Sequence, residues 1–280
     1  MKKYLQFIKE NNSSTLKYYC FDWDDNILHM STKIHMKHLL NGEWVDESVS
    51  TEDFARLRTD SNWKSYDESF IEFGDFGPNG DNNFLKDVKI AINNGDFGPS
   101  WNKFINCLIS GSSFAIITAR KHGENAIRKG VEYIIYNILT DEQKHEMASN
   151  LISFGDLFGE YDVLKKYDFK LLINNYLDNC DFVGVSNIDF INKNTDLIED
   201  NGIANPEKLK ERALSNFIKK TNDWGKQTGY KVKLGFSDDD IRNVNTIKKY
   251  FNENKDFYNI NFSVYDTSDK TIQGGIKTKI

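Results

Sequence analysis

The sequence predicts an α/β fold: a mainly parallel sheet flanked by helices, with one long insertion. Three observations lead there. Short apolar segments, near 17–21, 114–118, 181–186, 230–236 and 260–265, alternate with stretches of helical periodicity. Strands alternating with helices indicate parallel pairing through right-handed crossovers. Three of these segments lead into Asp22, Thr118 and Asp238, as expected where an open α/β sheet places its site at the C-terminal ends of its strands.

The first strand is the most informative. Tyr18-Tyr19-Cys20-Phe21 runs directly into Asp22-Trp23-Asp24-Asp25-Asn26-Ile27, three carboxylates within four residues. Carboxylates this close repel unless a cation or a hydrogen-bond network holds them. Asp and Asn also favour turns, so a plain strand–turn is the competing explanation. Oxygen ligands without His or Cys favour Mg²⁺ over zinc or copper. One acid of such a pair can attack phosphorus while the other shuttles a proton.

Two further segments weigh against a plain turn. Phe114-Ala115-Ile116-Ile117-Thr118 is an apolar strand ending in a hydroxyl next to a helix start, a place suited to a phosphate. Lys231-Val232-Lys233-Leu234-Gly235-Phe236-Ser237 ends in Asp238-Asp239-Asp240, more acid than a helix cap needs. Between them, Asn205-Pro206-Glu207-Lys208-Leu209-Lys210 has an N-cap followed by proline, the signature of a helix opening.

In this order the segments resemble the haloacid dehalogenase-like (HAD) hydrolase superfamily, phosphatase type. The first motif corresponds to Asp22-Trp23-Asp24-Asp25-Asn26-Ile27, the second to Thr118, the fourth to Asp238 and Asp239, and the third to a lysine for which Lys208 is preferred over Lys210. Asp25 and Asn26 stand where the family commonly has a small residue and Thr or Val. The resemblance implies a Rossmann-like core domain formed by residues 1–28 and 109–280 and a cap-like insertion at 29–108. It implies Asp22 as nucleophile and Asp24 as proton donor and then base. Mg²⁺ would be held by Asp22, Asp238 and Asp239, with the backbone carbonyl of Asp24. Thr118 and Lys208 would bind the phosphate. The expected substrate is a phosphomonoester, with nucleotides, polynucleotide ends and sugar phosphates all open. A chain that keeps this fold but serves binding or assembly is the alternative.

The remaining sequence adds organisation. Gly74-Asp75-Phe76-Gly77-Pro78 recurs as Gly95-Asp96-Phe97-Gly98-Pro99, two loops that each lead into a helix. They are expected to act as plain connectors; the sharper expectation has them lining the mouth of the site. Ser100 and Asp141 are expected as helix caps. The segment 122–139 reads as a helix with Ile127, Val131, Ile134 and Ile135 on one side, and 161–177 as another. The tail after Asp269 reads as mobile.

His29, His35 and His38 are expected at the surface, with His35 and His38 able to share a helix face. His122 lies near the expected phosphate site. Trp44, Trp63, Tyr66 and Phe70 mix with Arg56, Arg58 and Lys64, a combination that packs a cap core or clamps a nucleotide.

Composition narrows the class. A chain of 280 residues, 39% hydrophobic, is long enough for a substantial core plus an inserted unit. Its net charge of −6 argues against broad, nonspecific nucleic-acid binding, duplex binding included, while leaving room for a local basic patch. Cys20, Cys107 and Cys180 have neither disulfide nor zinc spacing, so a reducing, cytoplasmic setting is expected. No signal peptide or membrane-spanning run is expected, and no Walker A pattern occurs.

Overall fold

The central strand β1 (Thr15–Phe21) sends Leu16, Tyr18 and Cys20 to one apolar cluster and Phe21 to another, so both faces of the sheet are packed around it. The computed structural model describes residues 15–74, 82–155, 168–198 and 205–280. Most of the first Gly-Asp-Phe-Gly-Pro copy, the residues before β1 and the start of the expected 161–177 helix lie outside these residues.

After β1 come β2 (Ile34–Leu40), β3 (Glu43–Val49), helix α1 (Thr51–Leu57) and β4 (Trp63–Lys64). These three strands form a separate antiparallel sheet in the order β3-β2-β4. Its own small cluster contains Ile34, Met36, Val49 and Phe73. Helices α2 (Asn82–Asn94) and α3 (Trp101–Ile109) follow, with Phe84, Val88, Ala91, Phe104 and Leu108 buried in the principal cluster. The expected insertion at 29–108 is therefore divided. Only 34–73 builds its own sheet and core, because α2 packs Phe84 and Val88 against Gly130, and α3 packs Phe104 on Phe21 and Phe114 of the main sheet.

The main sheet continues with β5 (Phe114–Thr118), α4 (Glu124–Asn137), α5 (Asp141–Gly155), α6 (Phe169–Leu177), β6 (Asp181–Gly184) and the short α7 (Ile188–Asn192). Then come α8 (Pro206–Thr228), β7 (Lys231–Asp238), α9 (Ile241–Asn254), β8 (Ile260–Asp266) and β9 (Ile276–Lys279). The strand order is β6-β5-β1-β7-β8-β9, parallel except for β9. From β1 the chain builds outward through β5 on one side and later through β7 on the other. The crevice where the connections diverge is the usual ligand position in such sheets.

Local chemistry explains the helix ends. Asn205 accepts from the N–H groups of Glu207 and Lys208, Pro206 occupies the first turn, and Gly229 closes α8 with φ 73°. For α5 the cap is Thr140, not Asp141. Thr140 Oγ1 accepts from Gln143 N and Gln143 Oε1 accepts from Thr140 N, a reciprocal capping box. Ser100 makes no side-chain cap for α3; its hydroxyl turns instead to Ser237. The tail expected to be mobile forms β9, antiparallel to β8 over Ser263–Asp266 and Ile276–Lys279. Open hydrogen-bonding groups on the edge of β8 recruited it.

The second Gly-Asp-Phe-Gly-Pro loop supports the first acidic turn from below. Gly98 N donates to Ile27 O and Ser100 N to Asn26 O, while His29 N donates to Asp96 O. A Cβ on Gly98 would meet Asn26 O at 2.4 Å. Gly98→Ala should therefore force the two backbones apart and lower stability by about 1–3 kcal/mol, read as a fall in melting temperature by circular dichroism. A melting temperature equal to wild type would show that this close approach is not needed.

Candidate active site

Parallel register sets the site. β1 pairs with β5 and β7, so the turns after Phe21, Thr118 and Asp238 emerge side by side. One carboxylate oxygen from each of Asp22, Asp238 and Asp239 lies within 4.8 Å of the others. Asp22 and Asp238 are buried. Residues more than 200 positions apart thus share one centre, as the two acidic clusters of the sequence predict.

The counter-charge is Lys210. Its Nζ lies 3.0 Å from Asp22 Oδ1 and 3.1 Å from Asp238 Oδ2, and its side chain is buried. Lys208, preferred from sequence, is exposed at the start of α8. The two are separated by two residues, about 200° around a helix, so only one can face inward. A signal was present: Lys210, Ala213, Leu214 and Phe217 share one stripe at helical spacing, and all four are buried. Lys208 falls outside that stripe.

Asp238 is held on all sides. Lys210 Nζ, Asn243 Nδ2 and the N–H of Asp240 donate to its two oxygens. Burial pushes the Asp22 carboxyl up to about 8; Lys210 opposes the rise, and Asp238 and Asp24 add to it. Asp239 is pushed well above the carboxylate range by burial, then by Asp238, Asp22 and Asp25. Lys210 is held charged: burial works against its ammonium, but Asp22 and Asp238 outweigh it. Three carboxylates facing one ammonium leave two negative charges uncompensated when all are ionised. Protonation or a divalent cation relieves that excess.

Asp24 lies apart from this trio. Arg120 Nε donates to its Oδ2 at 2.8 Å and Nη2 to its Oδ1 at 2.6 Å, a two-pronged bond from a guanidinium buried against Phe73 and Phe84. Thr118 Oγ1 also reaches Asp24 Oδ2, at 3.3 Å. Arg120 Nη2 continues to Thr32 Oγ1 at 2.7 Å, and Thr32 to Asp87 Oδ2. Thr118 and Asp24 are thus brought together, with Arg120 as a partner whose role its sequence position alone did not disclose.

Asn26 has a structural role in the first acidic turn. Fully buried, its amide donates to Asp22 O, Ser237 O and Ser237 Oγ, and its Oδ1 accepts from Thr267 and Ser237. Ser237 also bonds Ser100. One amide thereby ties the first acidic turn to β7 and to the turn after β8. Asp25 adopts φ 56° and turns outward to His29 at 2.7 Å and Thr51 at 2.5 Å. Burial favours its neutral form, but these bonds and Lys270 hold its carboxyl below the usual range.

The histidines form no metal cluster among the described residues. His35 and His38 lie on β2, three residues apart, and so face opposite sides of that sheet rather than sharing a helix face. His35 bonds Ser48 and Glu72; His38 bonds Glu47 and stacks on Trp63. His122 is fully buried beside Phe84, and among the described residues neither ring nitrogen has a hydrogen-bond partner. Burial, with Arg120 nearby, lowers its pKa to about 3, so it is neutral in the fold.

The 34–73 sheet touches the turns at the ends of four main strands. Thr51 bonds Asp25, Phe73 O accepts from Lys121 N, Arg58 approaches Asp240 at 3.6 Å, and Glu52 pairs with Lys270.

The raised carboxyl of Asp22 makes a pH prediction. The folded state holds a proton there that the unfolded chain releases at its ordinary pKa of 3.8. The resulting stabilisation is complete below that value and is lost as pH rises through about 8. Lys210, raised above its ordinary value, stays charged throughout that window. Metal-free protein should lose melting temperature from pH 5 to pH 8. Asp22→Asn should flatten the decline and melt higher at pH 8. An unchanged slope would remove Asp22 as its origin.

No family model, curated protein or solved structure matches the chain. Among the described residues no helix is long and apolar enough to cross a membrane. Function is therefore argued from the site itself.

Proposed function

We propose that the chain is a Mg²⁺-dependent phosphohydrolase of the HAD-like type, acting on a phosphomonoester through an aspartyl-phosphate. The observation that carries this reading is the convergence of Asp22, Asp238, Asp239 and Lys210 at the adjoining ends of β1 and α8 and the β7 turn. All-oxygen donors with two surplus negative charges suit a hard divalent cation. Asp22, Asp239 and Asp238 would hold it, with the Asp24 carbonyl as the resemblance implies. When bound, Mg²⁺ would neutralise charge on the phosphoryl oxygens and keep Asp22 ionised at neutral pH.

The protein groups supply the remaining steps. The Asp22 carboxylate attacks phosphorus as the ester oxygen leaves, forming the acyl phosphate. Asp24 supplies the proton to that oxygen and then takes one from the attacking water. Lys210 offsets charge on the transferring group, and Thr118 donates to a phosphoryl oxygen. To reach the leaving oxygen, Asp24 must exchange one of its bonds to Arg120. The guanidinium thus acts as a positioning residue that fixes the acid on one side of the crevice.

The 34–73 sheet serves in this reading as the cap. Its contacts with Asp25, Lys121, Asp240 and Lys270 suit a unit that closes over the acids and excludes water from the acyl phosphate. The Arg120 fork on Asp24 also favours a second reading. A carboxylate engaged at both oxygens suits a protein that holds a phosphorylated ligand without turning it over.

Activity on a generic aryl phosphate with Mg²⁺ separates the two. Asp22→Asn should abolish turnover while retaining the fold. Lys210→Met should reduce kcat by about 10²–10³-fold, and Lys208→Ala should leave it unchanged. Folded wild-type protein inactive with Mg²⁺ across a broad phosphate panel would overturn the enzyme reading. Equal losses from the two lysine variants would overturn the assignment of Lys210.

A further inference from the structure

The two faces of the main sheet are not alike. Under α8 and α9, the even-numbered positions of β1, β7 and β8 are apolar and buried up to the terminal Asp238 and Asp266. The odd-numbered face carries lysine instead. Register aligns Lys17 with Lys233 and Asn261, Tyr19 with Gly235, Ser263 and Lys279, and Ser237 with Tyr265 and Lys277. Lys231 continues the row at the start of β7. Lys17, Lys231, Lys233, Lys277 and Lys279 are all exposed. No Asp or Glu occupies any position of this face on β1, β7, β8 or β9. Among the described residues, no carboxylate forms an ion pair with any of the five. In a chain of net charge −6, this concentrates positive charge on one surface.

The lysines surround two aromatic rings. Gly235 has no side chain, and a Cβ there would meet Tyr265 at 3.1 Å and Tyr19 at 3.3 Å, so the rings close in from either side of β7. A sixth lysine, Lys103 of α3, lies over the Tyr265 ring and donates to Gly274 O at 3.3 Å. Beside Tyr19 the face dips into a cavity of about 500 Å³ lined in part by Lys17, Lys103, Asn102 and Asn106. That volume lies in the range of small-molecule sites, and its amides and ammonium groups suit a nucleotide.

We propose that this open face binds the phosphate backbone of single-stranded nucleic acid. The lysines stand about 6.6–6.8 Å apart along β7 and along β9, Lys17 and Lys233 stand about 4.8 Å apart on neighbouring strands, and β8 separates the two groups by about 9.6 Å, a basic band long enough to meet several phosphates of a polyanion. A basic track with aromatic rings and sequence-neutral polar groups is the usual construction of a single-strand surface. The nucleotide-sized cavity favours unpaired bases over a duplex, whose bases cannot enter it. An anionic membrane fits less well, because the strand positions of this face carry no exposed aliphatic side chain to insert among the described residues. The surface stands independently of the phosphohydrolase reading, and its test requires no turnover.

The test is fluorescence anisotropy of the full chain with a labelled oligothymidylate of about 20 nucleotides. Single-strand binding weakens with salt by a log–log slope of about −0.7 per phosphate neutralised. The five exposed strand lysines, Lys103 being engaged by Tyr265 and Gly274 O, give about −3.5, or roughly a hundredfold loss between 50 and 200 mM salt. Combining Lys231→Gln, Lys233→Gln, Lys277→Gln and Lys279→Gln should leave a slope of about −0.7, roughly a threefold loss over that range. Lys219→Gln, an exposed lysine on α8, should change nothing, and circular dichroism should show both variants folded. Absent or salt-insensitive binding would overturn the proposal, as would binding that survives the fourfold variant or falls equally with Lys219→Gln. Duplex DNA, polyglutamate or phosphatidylserine vesicles binding as tightly as the oligonucleotide, with loss in the fourfold variant, would overturn the single-strand assignment.

Discussion

The acidic centre depends on one buried ammonium. Lys210 stands between Asp22 and Asp238 at 3.0 and 3.1 Å, contributed by a helix far from either strand end. Without it, the buried carboxylates would face one another across a medium that screens charge poorly. With it, Asp238 is fully hydrogen-bonded, while Asp22 and Asp239 remain strained toward protonation. That residual excess of negative charge is a cost to the fold that a purely structural ion pair would avoid, and a proton or a divalent cation would relieve it.

Geometry around the acids is held by neutral groups. Asn26, Ser237, Thr267 and Ser100 form a buried network in which hydroxyls and an amide bond one another and two backbone carbonyls. Such a network is stable only when its members are satisfied together. It couples the turns after β1 and β8 to β7. The Gly98 loop presses against the same turn through backbone contacts that admit no side chain. The acids are therefore positioned by groups with no charge to titrate, so a change of protonation at Asp22 need not displace its neighbours.

Arg120 links this centre to the rest of the crevice. Its bonds run from Asp24 to Thr32 and onward to Asp87 of α2, and its face packs on Phe73 at the end of the small sheet. Phe73 places the edge of the 34–73 unit against the side chain that holds Asp24. Position and chemistry thus couple the small sheet to the acid it adjoins.

Much of this was legible in the chain itself. Apolar strands ending in Asp22, Thr118 and Asp238 identified three of the crevice turns, because buried parallel strands read as apolar runs and their ends must carry the polar chemistry. The helix opening at Asn205-Pro206 was equally plain, since cap and proline act locally. The choice between Lys208 and Lys210 was not, although the stripe of Ala213, Leu214 and Phe217 carried it. The helical unit at 82–109 was assigned to the insertion because sequence shows that a helix has an apolar face without showing what meets it. The β9 strand, polar and glycine-flanked, has no apolar pattern and exists because β8 offered an open edge. The lysine face was invisible for a related reason: its lysines come from three strands, β1, β7 and β9, and only register sets them on one side of the sheet. Sequence determined which residues are strand ends, caps and buried stripes, since those follow from neighbours within a few positions. Tertiary structure decided which lysine reaches the acids, which helices join the core and where positive charge collects, since these depend on contacts between residues that only the folded chain brings together.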